Sequence, residues 1–247
     1  MLEIKINAAV ATIIINRPER RNALSADLAR QLDAELVAMG SGSQINAVVL
    51  AGALPGFCAG SDLKELAGKT VTEMREIELA KGQLLSTIYG KAPPVIAAVE
   101  GFALGGGFAL AAACDFVVTS SEARWHMPEA QNGWIPPWGL DVLELRVGRY
   151  KARQIVLGLK MTGGEAAQFG IADRVVPAGS SVVEAQQLAC EIATLAPHVI
   201  RTIKRFYGHD ATALFKRNDA ETAEMFADNC RSEPAITTLK KFGVRND

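Results

Sequence analysis

Residues 93–120 read PPVIAAVEGFALGGGFALAAACDFVVTS. The apolar run at 93–101, introduced by two prolines, predicts a buried strand; 107–113 predicts a short apolar helix and 115–119 a further strand. Gly105, Gly106 and Gly107 stand between the first strand and the helix. Each glycine costs roughly 0.5 to 1 kcal/mol relative to alanine in regular structure, so three together point to backbone that must approach something closely or adopt unusual dihedrals. The spacing is not that of a dinucleotide fingerprint: with Gly105 and Gly107 as the first two glycines of GxGxxG, Leu110 stands where the third belongs. No Gly-Lys-Ser/Thr closes the run as a P-loop requires. What remains is a helix start whose first N–H groups lack partners within the helix and are backed by its dipole, a place suited to negative charge.

Upstream, 2–7 and 10–16 predict paired strands, with Pro18 closing the second. A helix capped by Ser25 follows, its Leu28, Leu32 and Leu36 forming one buried stripe, and 46–52 returns as a strand. Residues 56–66 predict a glycine-bearing loop entering a helix, and 72–89 a helix carrying Met74, Ile77, Leu84, Leu85 and Ile88. Strands followed by helices make the class α/β. Beyond 140 the strand signal thins, and helices are expected at about 141–158, 164–169, 181–195, 197–207 and 211–229. The reading is an α/β core over 1–190 and a helical C-terminal part over 191–247.

The 247 residues, 49% hydrophobic, are enough for a large core. Twenty-six basic against 27 acidic residues leave a net charge of −1, which gives no field for nucleic acid or an anionic membrane. Cys58, Cys114, Cys190 and Cys230 are widely spaced without a CxxC pair, against a zinc site or disulfide framework and in favour of a reducing cytoplasm. The N-terminus, with Glu3 and no long apolar core, reads as strand and not as a signal peptide or membrane span. His198 and His209 read as surface helix positions, and His126 as a packed residue near Trp125.

A second glycine-bearing stretch, CAGSD at 58–62, also precedes a helix start, so the Ser61 N–H is a second candidate donor for the same ligand atom. Taken alone, either stretch fits a tight turn made for close packing. Together with INRPERRNAL (15–24), FCAGSDLKEL, ARWHMPEAQNGWIPPWG and RVGRYKARQIVLGLKMTGGEAAQFGIADRVVP, however, the chain resembles the crotonase, or enoyl-coenzyme A hydratase/isomerase, superfamily over nearly its whole length.

That resemblance implies a crotonase-like fold of repeated ββα units with a helical C-terminal part that serves trimerisation and pocket closure, and a trimer or pair of trimers. It implies an acyl-coenzyme A substrate and no metal or redox cofactor. The amides of Ser61 and Gly106 would form an oxyanion hole for the thioester carbonyl, stabilising the enolate produced when a neighbouring proton leaves. Family hydratases carry two glutamates; here the first position is Ala109 and the second Glu129. One carboxylate suffices to move a proton from C2 to C4 of a 3-enoyl thioester, so the pattern resembles the isomerase branch. Hydration, C–C cleavage, thioester hydrolysis and inert acyl-CoA binding stay open. An apolar wall including Trp125, Trp134, Ile135 and Trp138 would raise the Glu129 pKa toward that of a useful base. Asp141 is the rival, as a second acid/base or simply a helix N-terminal residue. Coenzyme A binding is expected around Arg20 and Arg21, the loop Cys58, Ala59, Asp62 and Leu63, Gly105, and Lys241 near the C-terminus, with the helix of 63–68, residues 72–89 and the loop of Trp134 and Trp138 along the acyl pocket.

Overall fold

Alternation of apolar residues decides which strands lie at the centre. On β3 (Ala47–Gly52), Val48 and Leu50 point to one face and Ala47, Val49 and Ala51 to the other, and all are buried. On β4 (Val95–Val99), Val95, Ala97 and Val99 oppose Ile96 and Ala98 in the same way. Strands with two apolar faces require cover on both sides, the signature of a parallel sheet between helices. The computed structural model describes residues 1–41 and 44–243, apart from the side chains of 209–211.

The main sheet pairs β1 (Leu2–Asn7) and β2 (Val10–Ile15) antiparallel, then continues in parallel through β3, β4, β6 (Phe116–Ser120) and β9 (Arg174–Val176). One face carries α1 (Ala26–Gly40), with Leu28, Leu32 and Leu36 inside, and Leu84, Leu85 and Ile88 of α3 (Val71–Gly90). Ser25 caps α1 by accepting from the Leu28 amide, as the sequence suggests. The other face is covered by α9 (Ser181–Ala193) through Ala185, Leu188 and Ala189.

After β4 the chain leaves this sheet. Gly101, at φ +59, is packed so tightly that an added Cβ would lie 2.0 Å from the Pro55 carbonyl oxygen, and β5 (Phe102–Leu104) then joins a second, three-stranded sheet with β7 (Arg124–His126) and β8 (Lys160–Met161). The two short strands beyond residue 140, β8 and β9, are two and three residues long, too short to leave an alternation in the sequence. The remaining helices are α2 (Leu63–Leu66), α4 (Gly106–Ala112), α5 (Glu129–Asn132), α6 (Leu140–Val147), α7 (Arg149–Val156), α8 (Gly163–Phe169), α10 (Pro197–Asn229) and α11 (Glu233–Gly243).

Two expectations are overturned. The stretch expected as a helix over about 141–158 forms two, α6 and α7, which break at Gly148 where φ is +80. In place of two helices at 197–207 and 211–229 there is a single helix, α10, of 33 residues. Gly208 lies within it because α10 crosses α3 there: a Cβ on Gly208 would sit 2.6 Å from the Gly90 Cα. Further along the same crossing, a Cβ on Gly82 would sit 2.7 Å from an Asp219 carboxylate oxygen. Gly208, which falls between the two expected helices, is a contact between α3 and α10.

Candidate active site

The triple glycine has a neighbour for each member. Gly105 takes φ +52, and a Cβ on it would fall 2.5 Å from Glu129 Oε1. A Cβ on Gly106 would strike the Trp138 ring at 2.5 Å, and one on Gly107 the Cys58 carbonyl oxygen at 2.3 Å. Bare backbone is therefore required at all three positions. The Gly105 amide is spent on the His126 carbonyl (2.9 Å), while Gly106 opens α4 and its N–H belongs to no helical bond.

The second bend meets the first. Leu24 donates to the Gly60 carbonyl (2.8 Å) and accepts from the Asp62 amide (2.9 Å), a parallel bridge that turns the N–H of the intervening Ser61 to the opposite side. Gly60 sits at φ +90, and a Cβ on it would come 3.0 Å from the Gly106 nitrogen. Among the described residues, neither the Ser61 nor the Gly106 amide donates to another group of the chain, and both residues line one small space with Glu129, Glu78 and Trp138. A second cavity, of about 50 Å³, is bounded by Ala59, Leu63, Leu66, Trp134 and Phe226, again with Ser61, Glu78 and Glu129.

Glu129 begins α5 and is 8% exposed. Its Oε2 has no hydrogen-bond partner. Burial, with the charge of Glu78 adding to it and the residue's own main-chain N–H opposing, pushes its carboxyl up to about 7. Such a group exchanges protons near neutral pH.

Ala109 is fully buried beneath the tryptophan loop: a Cβ on Gly139 would lie 2.8 Å from the Ala109 Cβ. The loop holds the volume that a longer side chain at 109 would need. Three bonds pin that loop to α10, from the Ile135 amide to Asn229 (3.0 Å), from Thr222 to the Pro137 carbonyl (2.9 Å) and from the Gly139 amide to Asp219 (3.1 Å). Burial, with Asp141 adding, lifts the Asp219 carboxyl to about 6.

The other singled-out residues divide. Asp141 lies outside this cavity, half-buried in the first turn of α6, where its carboxylate accepts from Asn218 of α10 (2.8 Å). Asp62 caps α2 and pairs with Arg17 at 3.2 Å, so its carboxylate is committed to the loop itself. Cys58 is fully buried behind the wall, its thiol pushed up to about 12 by burial. Arg20 and Arg21 are exposed, the latter with its guanidinium 4.7 Å from the Phe102 ring centre and its carbonyl accepting from the Ala59 amide. Lys241 is exposed on α11. Trp125 belongs to the core, edge-on to Phe108 and bonded to Thr119, whereas Trp134 and Trp138 face the site. His126 contributes its main chain; His198 is exposed, and the side chain of His209 lies outside the described residues.

Residues 72–89 are expected along the pocket, but the sequence reading singles out neither Glu78 nor its partner Lys81, each 1% exposed on α3, nor Phe226 of α10. A signal existed for the first two, since a charged pair at i, i+3 interrupts the Met74–Leu85 apolar stripe of α3.

The family model for enoyl-CoA hydratase/isomerase matches residues 5–242. The chain belongs to that family. It is 37% identical over 203 residues to a Rhizobium meliloti protein named "Probable enoyl-CoA hydratase", covering 79% of this chain and 76% of that one. It is 33% identical over 219 residues to the 2,3-dehydroadipyl-CoA hydratase of Escherichia coli, with 88% and 85% covered. The fold matches a crystal structure of an enoyl-CoA hydratase/isomerase from Mycobacterium paratuberculosis at a TM-score of 0.87, over 97% of both chains. This enoyl-CoA hydratase/isomerase family member is thus a crotonase-type enzyme acting on acyl-CoA thioesters. Among its described residues no helix is long and apolar enough to cross a membrane.

Proposed function

We propose that this enzyme shifts the double bond of a 3-enoyl-CoA to the 2-position through an enolate. The thioester oxygen accepts from the Ser61 and Gly106 amides. Glu129 removes a proton from C2 and returns it to C4 of the dienolate, and neither step draws on a metal or redox cofactor. Fixed donors aimed at the developing negative oxygen need no reorganisation, and each is worth about 2.7 to 4 kcal/mol of barrier in comparable sites.

The observation that carries this reading is the Glu129 carboxyl, buried, without a partner at Oε2 and set against Gly105 at the meeting point of the two bends. The other carboxylate of the cavity, Glu78, is committed to Lys81, Ser61 and Trp138. Arg20, Arg21 and Lys241 would contact the coenzyme A phosphates, and Ala59 and Leu63 its thioester arm.

Hydration of a 2-enoyl-CoA is the second reading, favoured by the hydratase names of both relatives and by the presence of two carboxylates in one cavity. Purified enzyme given 3-enoyl- and 2-enoyl-CoA separates the two: double-bond migration abolished by Glu129→Gln supports the first, and water addition without migration replaces it by the second.

A further inference from the structure

Met74, Glu78, Lys81 and Leu85 share one buried stripe of α3, and its two charged members are as inaccessible as the apolar ones. Taking a carboxylate and an ammonium out of water costs several kcal/mol per ion, and well-packed apolar residues commonly serve stability as well as a buried pair does. Packing alone gives no reason for this pair in the wall of a cavity that holds Glu129.

Its bonds give one. Glu78 Oε1 accepts from Lys81 Nζ at 2.8 Å. Glu78 Oε2 accepts from two donors that belong to opposite sides of the site. One is Ser61 Oγ at 2.7 Å, from the residue whose main-chain N–H is unspent. The other is Trp138 Nε1 at 2.8 Å, from the ring that lies on Gly106. A single carboxylate oxygen therefore ties the bend carrying one free amide to the ring packed over the other.

We infer that Glu78, salt-bridged to Lys81, is a positioning residue that fixes the Ser61 bend and the Trp138 ring around the thioester oxygen and supplies the standing negative charge beside Glu129. The inference rests on the reading of Glu129 as the acid/base. It extends that reading by making the protonation of Glu129 depend on a pair in another element.

Among the described residues, these charged or titratable groups pack around the cavity. From α3 come Glu78 and Lys81; from α2 Glu65, 3.7 Å from Lys81; from behind the tryptophan loop Asp219 of α10 and Asp141 of α6; and from the end of α10 Cys230 and Arg231. Glu78 is the one whose charge bears on Glu129. Asp141 bears on Asp219, behind Gly139.

The test uses two variants of the full chain. Glu78→Gln keeps the size of the side chain and an acceptor for Ser61 and Trp138 but removes the charge; Lys81→Met leaves the Glu78 charge without its counter-ion. The Glu129 carboxyl carbon is titrated by NMR in carboxyl-labelled, substrate-free protein, its signal assigned by disappearance in Glu129→Gln. In Glu78→Gln the midpoint is expected to fall, because a like charge that raises it is removed, and in Lys81→Met to rise. The acid limb of kcat/KM against pH should move with it. A midpoint in Glu78→Gln equal to that of the wild type overturns the inference. If that variant does not fold, an unmoved midpoint in Lys81→Met overturns it equally. Because the titration needs no turnover, its failure is distinct from that of the functional reading, which is judged by whether Glu129→Gln still moves the double bond.

Discussion

Glu129→Gln tests the environment of the acid/base by thermodynamics, independently of any substrate. Burial moves the Glu129 carboxyl from an ordinary 4.5 to about 7. Between those values the folded chain holds a proton that the unfolded chain has released, so the native state loses stability as pH rises across that window. The stability is fully present below the unfolded value and gone once pH has passed the folded one. A rise of this size corresponds to about 3 kcal/mol. Glutamine has nearly the same shape and does not titrate. Its own burial cost is the same at every pH, and other shifted groups, such as Asp219, titrate in both proteins and cancel. Urea unfolding of wild type and variant at about pH 5 and about pH 8 should therefore give a stability difference that changes by about 2.5 kcal/mol in favour of the variant at the higher pH, since part of the window lies below pH 5. A difference that is the same at both pH values refutes the buried, proton-holding carboxyl and the argument built on it.

Gly105→Ala places a methyl group where Glu129 Oε1 now lies, at 2.5 Å, on a backbone with φ +52. It should lower kcat through displacement of the carboxyl and cost about 1 kcal/mol or more, read by turnover and thermal melting. Gly208→Ala gains about 1 kcal/mol of helix propensity but drives a methyl group to 2.6 Å from the Gly90 Cα, a main-chain atom that cannot turn aside. Overpacking of about 1 to 3 kcal/mol should give net destabilisation in urea, whereas a stabilised variant would show that α10 does not cross α3 so closely. Asp219→Ala removes the acceptor of the Gly139 amide and should cost about 1 to 3 kcal/mol, with Asp219→Asn losing less because it keeps a carbonyl oxygen. Equal losses for the two would argue against that bond.

Much of the fold follows from local pattern. The double-faced apolar runs at 47–52 and 95–99, the Leu28–Leu32–Leu36 stripe and the Ser25 cap are each contained within a few consecutive residues, so the chain spells them out directly. Gly208 misleads for the opposite reason: a glycine in a helical stretch reads as a break unless the neighbour that requires it is known, and that neighbour, Gly90, is 118 positions away in the chain. The brief strands β8 and β9 carry too few residues to alternate visibly.

The site divides along the same line. The glycines of CAGSD and of 105–107 stand out in the chain by themselves, whereas attention to Glu129 and to the two bends as one site came from the family resemblance that the surrounding motifs carry. Which groups share the cavity was a matter of tertiary structure alone. Asp141 and Glu78 are both acidic residues on helices, yet one turns to Asn218 of α10 and the other faces Glu129, a difference set by how α3, α6 and α10 pack. The charge state of Glu129 is likewise a property of the assembled site: desolvation and the field of a neighbouring carboxylate exist only once distant segments close around it.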